Sequence, residues 1–262
     1  MSDIHVGSDF RPELLEAAIE ETNDLKPDLV AVAGDLTMEG HLSEFEEARS
    51  YIDRLECGNV VVIMGNHDAK NAGFRHFEDL FGMRDRAVTV STSEGEAKVV
   101  AIDSTKPDFT AGEVGRDRYA WLDSELRGWD RGPKIVIVHH HILAVPGAGN
   151  DSGILVDAGD FMAILAELEV DMVLCGHRHV PYLWNISGVR VIHCGTVSND
   201  RTRGVLPPSY NMIDFDPEEA HITLRKPGES EEPLGRFSRK RVASGELQMP
   251  FDKYIRYYKT PF

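Results

Sequence analysis

Cysteine is scarce in this 262-residue chain: Cys57, Cys175 and Cys194 are odd in number and far apart. They imply no disulfide framework and no thiolate zinc site, and a reducing compartment, the cytoplasm, is the expected location. Cationic side chains are also short, with 28 Lys and Arg against 44 Asp and Glu and a formal net charge of −16. This argues against a protein whose main affinity comes from gripping a nucleic-acid backbone, because that affinity needs clustered Lys and Arg. Adhesion to an anionic membrane surface is disfavoured for the same reason. Long apolar runs are missing as well; the best, such as 60–64, is far short of the roughly 20 residues that cross a bilayer. Met1-Ser2-Asp3-Ile4-His5 lacks the basic and apolar regions of a signal peptide.

What is present reads as a globular α/β protein, with 42% hydrophobic and 27% charged residues. Leu14, Leu15, Ala18 and Ile19 recur at helical spacing behind Pro12, which suits a first helical turn. Apolar runs at 29–33 and 60–64 each stop at a glycine, Gly34 and Gly65, and flank a helical pattern carrying Leu42, Phe45, Ile52 and Leu55. Short glycine-bounded apolar runs suit strands buried on both faces. Further strands are expected at 99–102, 135–138, 172–175, 182–186 and 189–194, with helices around Trp121 and over 161–168. A hairpin is expected from 212–215 and 221–224. Alternation of strand and helix that gives way to strands alone predicts a sandwich with mixed sheets.

Composition changes after residue 227. Residues 228–262 carry seven basic and five acidic side chains, leaving −18 on residues 1–227. The expected division is a catalytic domain over 1–227 and a polar linker with an aromatic tail over 228–262. Tyr254, Tyr257, Tyr258 and Phe262 suit packing on the domain or on a second subunit, which leaves a homodimer open.

Histidine placement carries the chemistry. Seven of the 11 histidines fall in four clusters: His5; His67; His139, His140 and His141; His177 and His179. Each follows an expected strand or an equivalent position, where open α/β sheets gather ligands. Asp3, Asp35, Asn66 and Asp68 stand beside them. Imidazole, carboxylate and amide oxygen together suit divalent metals of borderline or hard character. In Asp3-Ile4-His5 an extended backbone would point both ligand types one way. About seven candidate ligands are too many for one ion that keeps an open position, whereas two ions sharing a carboxylate accommodate them.

Asp3-Ile4-His5, Gly34-Asp35, Gly65-Asn66-His67-Asp68, the histidine near 139 and Gly176-His177-Arg178-His179 resemble the calcineurin-like metallophosphoesterases. The order and spacing are most similar to the bacterial class III cyclic-nucleotide phosphodiesterase branch, over about residues 1–215. The resemblance implies a four-layer α/β/β/α sandwich. It implies two metal ions, manganese, iron, zinc or cobalt, in divalent or mixed-valence form. Asp3, His5 and His179 would hold the first ion; Asn66, His177 and His139 would hold the second; Asp35 would bridge them. The family's two prolines after the strand-end histidines are replaced by His141-Ile142, so His140 competes with His139 for the ligand place and otherwise faces substrate. His67 would be the non-ligand catalytic histidine beside the phosphate, with Asp68 orienting its ring, and Asn66 would also touch substrate.

The implied reaction is phosphoester hydrolysis by a bridging hydroxide on a small phosphodiester such as a cyclic nucleotide. A DNA-repair-type nuclease and a non-catalytic scaffold of the same family are the alternatives. The family normally places a hydrophobic strand before its Asp-x-His motif, and here only Met1 and Ser2 precede it. The first strand is therefore expected to be truncated, with the native start upstream.

Overall fold

A computed structural model describes residues 1–93, 95–149, 153–203, 206–215 and 218–238. The aromatic tail from 239 onward lies outside the described residues. Helix α1 (Pro12–Leu25) begins on its proline, with Glu13 in the first turn near the positive helix end. It stops at Lys26, whose left-handed φ of 50° lets its N–H reach the Thr22 carbonyl. There follow β1 (Val30–Val32), α2 (Leu42–Ile52), β2 (Val60–Val62) and α3 (Gly73–Phe81). The middle of the chain holds β3 (Arg86–Thr92), β4 (Gly95–Ala101), α4 (Arg116–Leu126), β5 (Lys134–Ile137), α5 (Ala158–Glu167) and β6 (Met172–Cys175). Only strands come after: β7 (Tyr182–Ile186), β8 (Val189–His193), β9 (Tyr210–Phe215), β10 (Glu219–Arg225) and β11 (Glu231–Ser238).

β1 and β2 pair in parallel, and β9, β10 and β11 form an antiparallel sheet. The third sheet is mixed, in the order β3-β4-β5-β6-β8-β7, with β4, β5, β6 and β8 parallel. Side chains sort by the two-residue period of a strand. Val30 and Val32 of β1 join a core with Leu15, Ala18, Phe45 and Phe77 of α1–α3. Ala31 and Val61 face the other way, onto Val99, Ile135, Ile137 and Ile222. Val136 and Val138 in turn meet Leu122, Leu126, Phe161 and Leu165 of α4 and α5. Three apolar cores thus alternate with helix, sheet, sheet and helix, the mixed α/β architecture that the sequence predicts.

Two strands escaped the sequence reading, and both are edges. β3 lacks a continuous apolar run, and among its residues only Val90 is fully buried. β11 lies inside the expected linker; its charged stretch inserts Leu234 and Phe237 against the core between the sheets. Polar edge strands are how sheets avoid pairing with strangers, and that polarity hides them from periodicity.

The segment before α1 lies along β1. The Met1 ammonium donates to the Ala31 carbonyl, Ala33 N–H to Met1, and Val6 bridges Thr37 in parallel. Asp3 and His5 are not extended: their φ values are 55° and 53°. The reason expected for their common direction is thereby corrected, since alternating left-handed residues aim both at one place. A cavity of about 480 Å³ opens between β1 and β9, lined by Met1, Leu29, Ala31, Val90 and Ile213 among others. None of the clustered histidines lines it.

Candidate metal centre

The parallel pairing of β1 with β2 and of β5 with β6 brings their carboxyl ends to one edge. Asp35 follows β1, Asn66 and His67 follow β2, His139 follows β5, and His177 and His179 follow β6. The pleat decides between His139 and His140. His139 is in phase with Ile135 and Ile137, which face the core between the sheets, and His140 with Val136 and Val138, which face the helices.

Two sets of donors result. Asp3 Oδ1 is 3.3 Å from His179 Nε2 and 3.8 Å from His5 Nε2, and the two Nε2 atoms are 3.0 Å apart. In the second set, His139 Nε2 is 3.3 Å from Asn66 Oδ1 and 3.3 Å from His177 Nδ1, which is itself 2.7 Å from Asn66 Oδ1. Asp35 Oδ2 touches both sets, at 3.6 Å from His5 and 3.3 Å from His139. Its Oδ1 accepts the His67 N–H at 2.8 Å, which fixes the carboxylate plane.

Two of the ring nitrogens pointing away from the cluster are spoken for. His139 Nδ1–H donates to the Ala33 carbonyl at 2.7 Å, and His179 Nδ1–H to the Arg201 carbonyl at 2.7 Å. These two rings therefore turn Nε2 inward, onto the buried oxygens of Asp35 and Asp3, a grouping that needs a positive charge among it. Two donors about 2.1 Å from one ion, at right angles, lie about 3 Å apart, which is the spacing seen here. The residues fit divalent cations.

Close approach explains two glycines. A Cβ on Gly65 would sit 2.1 Å from Asp35 Oδ1, and one on Gly176 would sit 1.9 Å from Ser2 Oγ and 2.6 Å from Asp3 Oδ2. Asp3, His5, Asp35, His177 and His179 all have φ between 53° and 72°. Backbone held off its preferred regions is maintained by the surrounding packing and gathers at functional sites.

Electrostatics follow the same grouping. Burial opposes ionisation of Asp3 and Asp35, yet His179 holds the first below the ordinary carboxylate value and His139 holds the second well below it. Burial works against protonation of His139, but Asp35 pushes its pKa up to about 9; Asp3 likewise raises that of His179. His5 falls to about 4 through burial, partly offset by Asp35. His177 is driven well below its usual value by burial, then by His140. His139 and His179 are the two rings whose charged form is favoured, each beside a carboxylate, and a bound cation would supply that charge instead.

Two roles expected from the sequence are corrected. His140 does not face the cluster. Ser104 Oγ–H donates to its Nδ1 at 2.7 Å, and its Nε2–H donates to the Thr110 carbonyl at 3.1 Å. Burial then lowers its pKa to about 3, so it is a neutral packing residue behind His177. Asp68 does not orient the His67 ring. Its carboxylate accepts from the N–H groups of Leu36, Thr37 and Gly65 and from Thr37 Oγ1, at 2.8–3.1 Å. It ties the Asp35 loop to the Asn66 loop. His67 instead contacts the Met38 carbonyl and Lys70, and its ring meets His5 edge-on at 4.7 Å. His67 also lies close enough to His5 and Asp35 to form a third possible ligand group. Lys70 and Met38 gave no signal in sequence, because one acts through its backbone and the other lies beyond the motif.

A family model described as calcineurin-like phosphoesterase matches residues 1–181. The chain belongs to that family. A probable cyclic nucleotide phosphodiesterase of Synechococcus is 25% identical over 193 residues, covering 73% of each chain. A 3′,5′-cyclic-nucleotide phosphodiesterase of Nostoc is 28% identical over 63% of this chain and 62% of its own. The DNA double-strand break repair protein Mre11 of Haloferax volcanii is 25% identical over 81% of this chain, which spans 46% of it. A yellow lupin purple acid phosphatase shares the fold, with a TM-score of 0.67, 13% identity, and coverage of 90% of this chain and 52% of its own. Membership of this family, with named phosphodiesterases among the relatives, makes the chain a phosphoester hydrolase by class. Among the described residues, no helix is long and apolar enough to cross a membrane.

Proposed function

We propose that this chain hydrolyses a small phosphodiester, such as a cyclic nucleotide, at a two-ion centre. The observation that carries the reading is Asp35 Oδ2, which stands 3.6 Å from one histidine set and 3.3 Å from the other. Asp3, His5 and His179 would hold one ion and Asn66, His139 and His177 the other, with Asp35 shared. When bound, two divalent ions supply Lewis acidity to the phosphoryl oxygens and lower the pKa of an attacking water. Manganese, iron, zinc and cobalt all suit these ligands.

The remaining work falls to side chains. His67 would donate a hydrogen bond to the phosphate or to the departing oxygen as charge develops there. Asn66 offers a second donor through its amide, since its Oδ1 is turned to the ligand set. Asp68 stiffens the two loops that carry these groups. Substrate size follows from charge: a chain at −16 repels long polyanions, while the metal centre attracts a compact phosphate locally. That favours small phosphoesters over the nuclease reading, for which the Haloferax match speaks. The complete ligand set speaks against a scaffold. Three cysteines without a pairing pattern suit action in the cytoplasm.

The test is turnover with each metal on bis-p-nitrophenyl phosphate, p-nitrophenyl phosphate, 3′,5′- and 2′,3′-cyclic AMP and single-stranded DNA. Metal-dependent hydrolysis of small diesters is expected. Turnover of DNA alone would establish the nuclease, and silence with every metal would establish the scaffold.

A further inference from the structure

Beside His67 stands a charged group that no part of the proposed chemistry has used. Lys70 Nζ is 3.0 Å from His67 Nδ1, 2.9 Å from the Met38 carbonyl and 3.0 Å from Glu39 Oε1. The Met38 carbonyl is itself 2.7 Å from the same Nδ1. One ring nitrogen therefore meets an acceptor and a donor together. Lys70 is held there: the Met38 carbonyl and the Glu39 carboxylate take two of its three protons, and its side chain is 28% exposed. The third proton is available to the ring.

The two contacts serve different tautomers of His67. When Nδ1 bears a proton, it donates to the Met38 carbonyl. When Nδ1 is bare, the Lys70 ammonium donates to it, and the proton of the neutral ring stays on Nε2, the nitrogen left for the site. A carbonyl alone would favour the opposite neutral tautomer, with Nε2 bare and unable to donate. Asp68 cannot contribute, because its carboxylate is committed to Leu36, Thr37 and Gly65.

We propose that Lys70 is a positioning residue that keeps His67 Nε2 protonated toward the departing oxygen of the substrate. The proposal rests on the reading of His67 as the donor at that oxygen. A donor matters most when the departing group is a poor one that needs stabilisation as it leaves. Lys70 should therefore influence poorly activated substrates more than activated ones, and should act only through His67.

The experiment compares wild type, Lys70→Met, Lys70→Arg, His67→Ala and the double variant His67→Ala/Lys70→Met, each loaded with manganese. kcat and KM are measured on bis-p-nitrophenyl phosphate and on diphenyl phosphate, whose leaving group is poorer. Lys70→Met is expected to lower kcat about tenfold on diphenyl phosphate and less on the activated ester, with KM and metal content unchanged. Lys70→Arg should recover most of the loss, and Lys70→Met should add nothing once His67 is gone. Equal loss on both esters, full activity of Lys70→Met, or an undiminished further loss in the double variant would overturn the proposal. If His67→Ala is itself fully active, the reading of His67 falls and Lys70 falls with it. If only Lys70→Met is fully active, that reading stands and the Lys70 proposal alone fails.

Discussion

The two halves of the ligand cluster are anchored in different ways. His139 leaves the end of β5 and rests its Nδ1 on the Ala33 carbonyl at the end of β1, with no solvent exposure. His179 sits in a loop, rests on the Arg201 carbonyl in another loop, and its side chain keeps 10% exposure. Asp3 and His5, which complete that half, come from an irregular segment with left-handed residues. Through His139 one half is thus tied to a strand end, while the other is held by loops alone. Preorganisation by a sheet is stiffer, so the Asn66–His139–His177 half should keep its ion when the Asp3–His5–His179 half loses one.

The largest effect should come from removing what the halves share. Asp35→Ala is expected to cut kcat/KM at least roughly 10³-fold, because both ions lose a ligand at once. Metal content should fall in both halves, as read by elemental analysis; retention of both ions would show that the carboxylate is not shared. Next comes the contrast between halves in the metal-free protein. His139→Ala opens a void in a sealed region and strips Asp35 of its partner, for a cost of about 2–4 kcal/mol. His179→Ala, whose side chain keeps 10% exposure, should open a smaller void and cost less, although it strips the buried Asp3 of its partner. Denaturant unfolding decides; equal costs would erase the distinction between sheet-held and loop-held halves.

A smaller effect concerns a histidine outside the cluster. His193 is fully buried, no hydrogen-bond partner meets either ring nitrogen, and burial lowers its pKa from 6.5 to about 4. Between those values the unfolded chain binds the proton and the folded chain does not, so stability is lost as pH falls from 6.5 toward 4. The full loss is on the order of 3 kcal/mol. His193→Leu should flatten that acid limb by one proton; an unchanged limb would mean that His193 is protonated in the fold.

The contrast between sheet and loops also marks what could be read from sequence. Asp35, Asn66, His139 and His177 were legible because each follows an apolar run, either directly or after a single glycine. The choice of His139 over His140 needed the phase of β5, which only its packing against two different cores reveals. The backbone turns at Asp3 and His5 left no trace, since both residue types also occur in extended chain. Asp68 was misassigned because adjacency to His67 suggested contact, whereas its loop turns the carboxylate back onto Leu36 and Thr37. Lys70 was invisible for the same reason in reverse: it lies three positions along the sequence from the ring it touches.

The central claim is a two-ion centre in which His67 is no ligand, although it stands within reach of His5 and Asp35. Its most direct test is the number of metal ions bound per chain in wild type, His179→Ala and His67→Ala, each purified after loading with manganese. The account predicts two, one and two. One ion in His67→Ala would make that histidine a ligand, and two in His179→Ala would dissolve the loop-held half.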